Sequence, residues 1–345
     1  MQHDGKSGIT RRRAAASGLA LLMLGAIAPG QAAGQVEART PISVVGPASV
    51  FPFAVAAGER FSLATGNEMP VVEPVGAEAA VALFCAGNGA RHPDIVLAAG
   101  RLERRDFGTC GRGGVSMSEL RLGYQAVALA QNPGPAPLFL TRQQLFLALA
   151  REVPLDGRLV ANPYRLWSDI DFALPVKPIE ILGPPPGSPL RDNLVALLMA
   201  PAAAQIPALR GRPADAFRSD GVFVELAEDQ AETRAQLVRR PDAIGIFGFN
   251  YLAANAAGVH SVPIDGVPPG QASIADGSYA LARPLQLYVK RAHATAIPGL
   301  MAYLDEMLSA AAGGPGGYLT ARGLVPMPPA EAEAQRAAAR SLPPL

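Results

Sequence analysis

The chain has 345 residues, of which 49% are hydrophobic and 17% charged, and its formal net charge is +1. This composition is typical of a folded globular protein with a large core, and the length allows two domains. Because the charge is nearly balanced, the sequence provides no basic field for nucleic acid. We therefore expect no nucleic-acid partner.

The first 33 residues have the layout of an export signal. Arg11–Arg13 precede an uncharged run from Ala14 to Ala28, and the small residues Ala32 and Ala33 follow. The run of about 15 residues is shorter than the ~20 that a membrane-spanning helix needs. We predict cleavage after Ala32 or Ala33 and a periplasmic mature protein. The paired arginines permit the twin-arginine route as well as the Sec route, and both remain open.

The chain contains two cysteines, Cys85 and Cys110. In an oxidising compartment an even count usually indicates a structural bridge, so we predict a disulfide between them. A metal pair or a reactive thiol is the alternative. The histidines are scattered and no Cys-x-x-Cys spacing occurs, so we expect no metal and no cofactor.

Hydrophobic periodicity predicts strands that alternate with helices. Gly66 is a fitting C-cap for the first helix, and solvated surface charge is one interpretation of the charged stretch after Arg101. Such alternation favours α/β layers with a largely parallel sheet. In chain order the predicted elements are strand 42–45, helix 53–65, strand 70–75, helix 78–85, strand 94–98, strand 120–130, helix 141–150, strand 178–182, helix 192–199, helix 229–237, strand 243–247, strand 279–289, helix 298–311 and a surface helix at 328–340.

The two long strands, 120–130 and 279–289, are each able to pass from one lobe to another. Two crossings divide the chain into a first lobe (41–124 plus 267–332), a second lobe (125–266) and a C-terminal tail (333–345). Ligands bind at the carboxyl ends of the strands in such sheets, so we expect a cleft between the lobes.

Many short motifs closely resemble those of phosphate ABC-transporter substrate-binding proteins, in order along essentially the whole mature chain. The resemblance implies a two-lobed periplasmic-binding-protein fold of type II. It also implies capture of phosphate or a related small oxyanion by a monomer that delivers it to an ABC-transporter permease. The motifs include Gly46-Pro47-Ala48-Ser49-Val50-Phe51-Pro52, Leu83-Phe84-Cys85-Ala86-Gly87, Asn162-Pro163-Tyr164, Trp167-Ser168-Asp169-Ile170, Pro241-Asp242-Ala243-Ile244-Gly245 and Arg283-Pro284-Leu285.

In this family, helix N-termini and short polar loops bind the anion, because they present backbone N–H groups and the positive end of the helix dipole. Matching the family's loops to this chain predicts six ligand-binding residues. Glu78 stands where related proteins have a glycine run, so its carboxylate would weaken phosphate binding if it faces the cleft. The six residues are Ser49, Val50 through its amide, Glu78, Arg101, Ser188 and Arg191.

Each of these residues also has a purely structural interpretation. Ser49 and Ser188 precede helices and suit N-caps, and Glu78 suits the first turn of a helix. Arg191 fits a surface pair at a helix start. The alternative function is accordingly a binding, scaffold or sensory protein of the same fold that has lost phosphate. An enzyme is not expected, because no Gly-x-Ser-x-Gly elbow or nucleophile with a nearby histidine occurs.

Overall fold

The computed structural model describes residues 41–134 and 136–345, and these form one compact unit. The predicted export signal over residues 1–33 lies outside the described residues. Within the described ranges, no helix is both long enough and apolar enough to cross a membrane.

Strands alternate with helices along the described chain, as the sequence predicts. The helix expected at 192–199 begins earlier, at Pro189, and a π-helical segment over Val195–Met199 connects two α-helical parts. The strands are β1 (Ser43–Gly46), β2 (Val71–Pro74), β3 (Ile95–Ala98), β4 (Met117–Gln131), β5 (Glu152–Leu155), β6 (Arg158–Ala161), β7 (Ile181–Gly183), β8 (Phe223–Glu225), β9 (Ile244–Gly248), β10 (His260–Ser261) and β11 (Ala282–Lys290). The α-helices are α1 (Phe51–Thr65), α2 (Ala77–Cys85), α3 (Arg104–Arg112), α4 (Arg142–Leu149), α5 (Trp167–Ile170), α6 (Pro189–Leu194), α7 (Ala200–Ala204), α8 (Gln230–Arg239), α9 (Phe249–Ala254), α10 (Gln271–Ala275), α11 (Leu300–Met307), α12 (Ala310–Gly313) and α13 (Pro329–Ser341).

One nine-stranded sheet runs through the molecule in the order β2-β1-β3-β11-β4-β9-β7-β8, with β10 beside β4. Strands β2, β1 and β3 are parallel, and so are β9, β7 and β8. The long strands β11 and β4 join these two groups through antiparallel pairs. The expectation of a largely parallel sheet is therefore wrong at the centre. Helical crossovers specify parallel neighbours, whereas β4 and β11 are not joined by a single crossover helix.

Strand β4 crosses from one half of the sheet to the other. Its residues 117–126 pair with β11, and its residues 127–131 pair with β9. Strand β11 in turn pairs with β3 through residues 286–289. We call β4 and β11 the crossing strands. The half that contains β1, β2 and β3 is the first lobe, and the half that contains β7, β8 and β9 is the second lobe.

Helices cover both faces of the sheet in each lobe, and clusters of buried apolar side chains fill the layers between them. In the first lobe, one cluster lies under α1 and α11 and another under α2 and α3. In the second lobe, one cluster lies under α4 and α7 and another under α8 and α9. This is a two-lobed α/β fold. The predicted residue boundaries, 41–124 plus 267–332 and 125–266, stay a prediction.

Helix α1 shows how local sequence positions a loop of the first lobe. Pro52 in the first turn has a fixed φ that suits a helix start. At the other end Gly66 has a φ of 72° and donates its N–H to the Ser62 carbonyl, which confirms the predicted C-cap. Phe53 and Phe61 are buried on the inner face. The loop after β1 is therefore followed at once by a well-anchored helix.

The charged stretch after Arg101, for which solvated surface charge is one interpretation, forms α3. Glu103 and Asp106 form a capping box at its start, with the Glu103 N–H donating to Asp106 Oδ2 at 2.8 Å. Satisfying the first N–H groups in this way stabilises a helix start even in a charged segment.

The predicted surface helix at the C-terminus is α13, and it is anchored to a crossing strand. The Glu331 carboxylate accepts a hydrogen bond from Arg121 Nη1 at 2.6 Å and another from the Tyr124 hydroxyl at 2.8 Å. Beyond the helix, the Leu342 side chain is buried in the core of the first lobe. The tail is thus an integral part of the first lobe.

Cys85 and Cys110 form the predicted disulfide. It links the last residue of α2 to α3, and both cysteines are buried. The cysteines are 25 residues apart. A bridge across a loop of this size is worth about 3 kcal/mol in the chain-entropy model.

Asp220 in the second lobe accepts two hydrogen bonds from the buried Arg218, one from Nε at 2.8 Å and one from Nη2 at 2.7 Å. The Arg218 guanidinium, helped by Arg165, lowers the pKa of Asp220 from 3.8 to about 2. Because the pKa of Asp220 is lower in the folded than in the unfolded protein, its carboxylate stabilises the fold at pH values above the unfolded-state pKa. This stability is lost as the pH falls through the folded-state pKa.

We expect Asp220→Asn to lower the free energy of unfolding by about 1 to 2 kcal/mol at pH 7, less than the full equivalent of the pKa shift because solvent screens the exposed carboxylate. The difference from the unaltered protein should shrink as the pH falls from about 4 towards 2. Urea unfolding at a series of pH values measures it. Asp242→Asn is the control, because Asp242 pairs with Lys177 at 3.0 Å on the surface and exposed pairs contribute little. A difference that did not change with pH would contradict this account.

Candidate ligand-binding site

A cavity of about 170 Å³ lies at the carboxyl ends of the parallel strands of the first lobe. Pro47 comes from the loop after β1, Glu78 from the start of α2, and Arg101 from the loop after β3. Three loops that are far apart in sequence therefore meet at one place. The carboxyl edge of such a sheet is where ligands bind in open α/β folds.

Ser49 and Val50 lie in the loop that leads from Pro47 into α1. The Ser49 hydroxyl is 3.4 Å from Arg283 Nη2, and the Ser49 carbonyl accepts a hydrogen bond from Gln125 Nε2 at 3.1 Å. The Val50 N–H donates to the Pro47 carbonyl at 3.0 Å within a turn. This amide would have to leave that bond to bind a ligand, so its predicted role stays a prediction.

Glu78 lies at the rim of the cavity, in the first turn of α2. Its side chain is 88% exposed, and one carboxylate oxygen is 3.5 Å from Arg105 Nη2. Solvent and Arg105 both screen the charge. The repulsion of an anion by Glu78 is therefore weaker than a fully desolvated contact at the same distance would give.

Arg101 lines the same cavity and forms a two-pronged ion pair with Glu119. Its Nη2 lies 2.9 Å from Glu119 Oε1, and its Nε lies 3.3 Å from Glu119 Oε2. The hydrogen bonds and the negative charge of Glu119 raise the pKa of the guanidinium. Arg101 is thus a fixed positive charge in the cavity wall, although its charge is already balanced.

Ser188 is the N-cap of α6. Its hydroxyl accepts a hydrogen bond from the Arg191 N–H at 3.2 Å and donates one to the Pro185 carbonyl at 2.9 Å. The residue is buried. The hydroxyl therefore caps α6, which is the structural interpretation that the sequence allowed. A contact between this hydroxyl and a ligand stays a prediction.

The Arg191 guanidinium is directed into the second lobe. It lies 3.5 Å from the Phe217 ring centroid and donates to Glu225 Oε1 at 2.7 Å and to the Pro184 carbonyl at 3.1 Å. Burial is the main cause that lowers its pKa. The Arg191 guanidinium packs against an aromatic ring of the second lobe, so it does not line the cavity of the first lobe. Its predicted role in ligand binding stays a prediction.

The structure therefore brings Glu78 and Arg101 together in one cavity wall, with Ser49 and Val50 in the adjoining loop. It does not bring Ser188 or Arg191 into that wall. In the described ranges no group of three or more His, Cys, Asp or Glu side chains could hold a metal ion.

Arg283, at the start of β11, is a residue that the site prediction missed. Its Nη2 lies 3.0 Å from Gln125 Oε1 on β4 and 3.0 Å from Asn193 Oδ1 on α6, in addition to the Ser49 contact. It therefore touches both lobes at the point where the crossing strands meet. The sequence did contain one signal, since Arg283 is the single charged residue of the predicted strand 279–289.

The chain matches a known family. A model of the PBP superfamily domain matches residues 29–311. The chain belongs to this superfamily. Among curated proteins, none matches the chain.

Solved structures with the same PBP fold come from several bacteria. A possible phosphate binding protein from Planctomyces limnophilus is 21% identical with a TM-score of 0.71, and the match covers 89% of this chain and 99% of that one. PstS from Borrelia burgdorferi is 15% identical with a TM-score of 0.59, over 85% and 99% of the two chains. An ABC-type phosphate transport receptor from Vibrio cholerae is 15% identical with a TM-score of 0.55, over 84% and 100%. At these identities the likeness establishes the fold.

Proposed function

We propose that this protein is a periplasmic solute-binding protein that captures phosphate or a related oxyanion for an ABC importer. The observation that carries the proposal is the meeting of three loops at the carboxyl edge of the first-lobe sheet, in a two-lobed PBP fold. Two proteins that share this fold have names that state phosphate binding or phosphate transport.

Physical chemistry supports an anion at this edge. Helices α1 and α2 begin there, at Phe51 and Ala77, and helix N-termini attract negative charge. Arg101 also lies in the wall, where Glu119 balances its charge. Under the proposal, the mature protein acts as a monomer after loss of the signal and releases its ligand unchanged to a permease.

Isothermal titration calorimetry of the purified mature protein with phosphate, sulfate, arsenate and a phosphonate tests the proposal. We expect one of these oxyanions to bind with a single-site stoichiometry. At a ligand concentration of about 100 times Kd the free energy of unfolding should rise by about 2.7 kcal/mol. Small-angle scattering should show a more compact particle in the presence of that anion, because PBP-type lobes close on their ligand.

No heat, no thermal stabilisation and no compaction with any of the four anions at millimolar concentration would contradict the proposal. That result would favour a scaffold or sensory protein that has lost phosphate. Light scattering on the same samples measures the molar mass and so tests whether the protein is a monomer.

A further inference from the structure

Arg283 differs from Arg191 and Arg218, two buried arginines of the second lobe, in what it contacts. Arg191 pairs with Glu225 and Arg218 pairs with Asp220, each at 2.7 Å. Arg283 contacts only neutral oxygens, and within the described part of the chain no carboxylate forms an ion pair with it. Arg283 is partly buried, and a partly desolvated positive charge without a counter-charge is unfavourable.

Burial of Arg283 has a measurable consequence. Desolvation lowers the pKa of its guanidinium from 12.5 to about 10. The guanidinium remains charged at neutral pH, so the charge persists at the lobe junction without compensation. A site of this kind favours an anion that brings the missing negative charge.

The hydrogen-bonding geometry leaves donors for such an anion. A guanidinium carries five N–H donors. In Arg283 the contacts to described residues come from Nε and Nη2, with none from Nη1. Two N–H groups on one nitrogen thus remain for a ligand, and Arg donors suit the oxygens of phosphate-like anions.

The location couples the anion to both lobes. Ser49 belongs to the loop that continues from the cavity wall at Pro47, and Asn193 belongs to α6 of the second lobe. Arg283 itself lies on a crossing strand opposite Gln125. A ligand on the guanidinium would therefore lie between the lobes, next to the cavity.

We propose that the Arg283 guanidinium binds a tetrahedral oxyanion between the lobes and neutralises its negative charge. Asn193 and Gln125 hold the guanidinium in place. The proposal rests on the proposed function, and it names the cation of that same site. It assigns this role to a residue of the crossing strand, in addition to the residues of the helix-start loops.

Two variants that each lower the net charge by one unit test the assignment from opposite sides. Arg283→Gln removes the cation. Asn193→Asp keeps the cation and supplies a carboxylate, at a position whose oxygen already lies 3.0 Å from Nη2. Arg158→Gln makes the same change in net charge at an exposed position of the β5–β6 hairpin and serves as the control.

We expect both test variants to bind inorganic phosphate, or whichever of the four oxyanions binds the unaltered protein, at least 30-fold more weakly in calorimetry. Truncating one partner of a buried charged contact typically has an effect of this size or larger. The control should bind within twofold. We also expect both test variants to melt at a temperature equal to or higher than that of the unaltered protein in ligand-free buffer, because each relieves an uncompensated charge.

The melting temperature separates a binding role from a structural one. If Arg283→Gln lowers it by many degrees and Asn193→Asp binds the anion as well as the unaltered protein, Arg283 is only a structural link between the lobes. If both variants bind with unchanged affinity, the assignment fails while the proposed function stands. If the unaltered protein binds none of phosphate, sulfate, arsenate and the phosphonate, both fail together.

Discussion

His293→Ala is expected to lower the free energy of unfolding by about 3–5 kcal/mol, the range for breaking a buried charged pair. His293 Nδ1 lies 2.5 Å from Asp94 Oδ1, and neither side chain is exposed to solvent. The substitution leaves the Asp94 carboxyl group buried without this partner, and it also opens a cavity in the first lobe.

The contacts on either side of the pair tie it into a larger hydrogen-bonded network. His293 Nε2 lies 2.8 Å from the Asn88 carbonyl, and the Ser43 N–H lies 2.7 Å from Asp94 Oδ2. Removing either partner therefore breaks this network as well as the pair.

Urea unfolding of His293→Ala, Asp94→Ala and the double variant measures the effect. The double variant should lose less stability than the sum of the two single variants, because it leaves neither partner behind. His260→Ala, at an exposed position of β10, is the control and should change stability by no more than about 0.5 kcal/mol. Single variants that cost less than about 1 kcal/mol would show that the pair is not buried in solution.

Gly113→Ala should destabilise the protein by about 3 kcal/mol or more, the upper end for overpacking. A Cβ on Gly113 would lie 1.9 Å from the Cys85 carbonyl oxygen, which is a backbone atom. The Cys85–Cys110 disulfide holds the two segments together, so they cannot easily move apart. The backbone angle itself, with a φ of −79°, would suit alanine, and the clash alone is responsible.

Gly111→Ala is a matched control two residues away. A Cβ there meets nothing within 4 Å. Because Gly111 lies inside α3, alanine should be neutral or should stabilise by up to about 1 kcal/mol. Thermal unfolding under non-reducing conditions compares the two variants, and equal melting temperatures would refute the steric explanation.

Features that depend on neighbouring residues or on composition could be predicted from the sequence. Gly66 ends α1 because glycine adopts a positive φ without strain. The Cys85–Cys110 disulfide followed from the cysteine count and the inferred compartment. The two-lobed α/β fold followed from the alternation of elements and from the family resemblance.

Features that depend on long-range contacts could not. Arg191 looked available for a ligand, but Phe217 and Phe223 lie against its guanidinium and come from a distant part of the chain. Arg283 looked like an ordinary strand residue, because its significance arises only when Ser49 and Asn193 are brought to it. Sequence spacing alone does not show which charges end up without a partner.

The antiparallel crossing strands also bear on the order in which the lobes form during synthesis. Strands β4, β7, β8 and β9 all lie within residues 117–248, so the second lobe can pair these strands before residues 249–345 are made. The first lobe must wait, because β3 pairs with residues 286–289 of β11. Contacts between residues so distant in sequence close slowly. The N-terminal strands are made first, yet theirs is the lobe that is completed last.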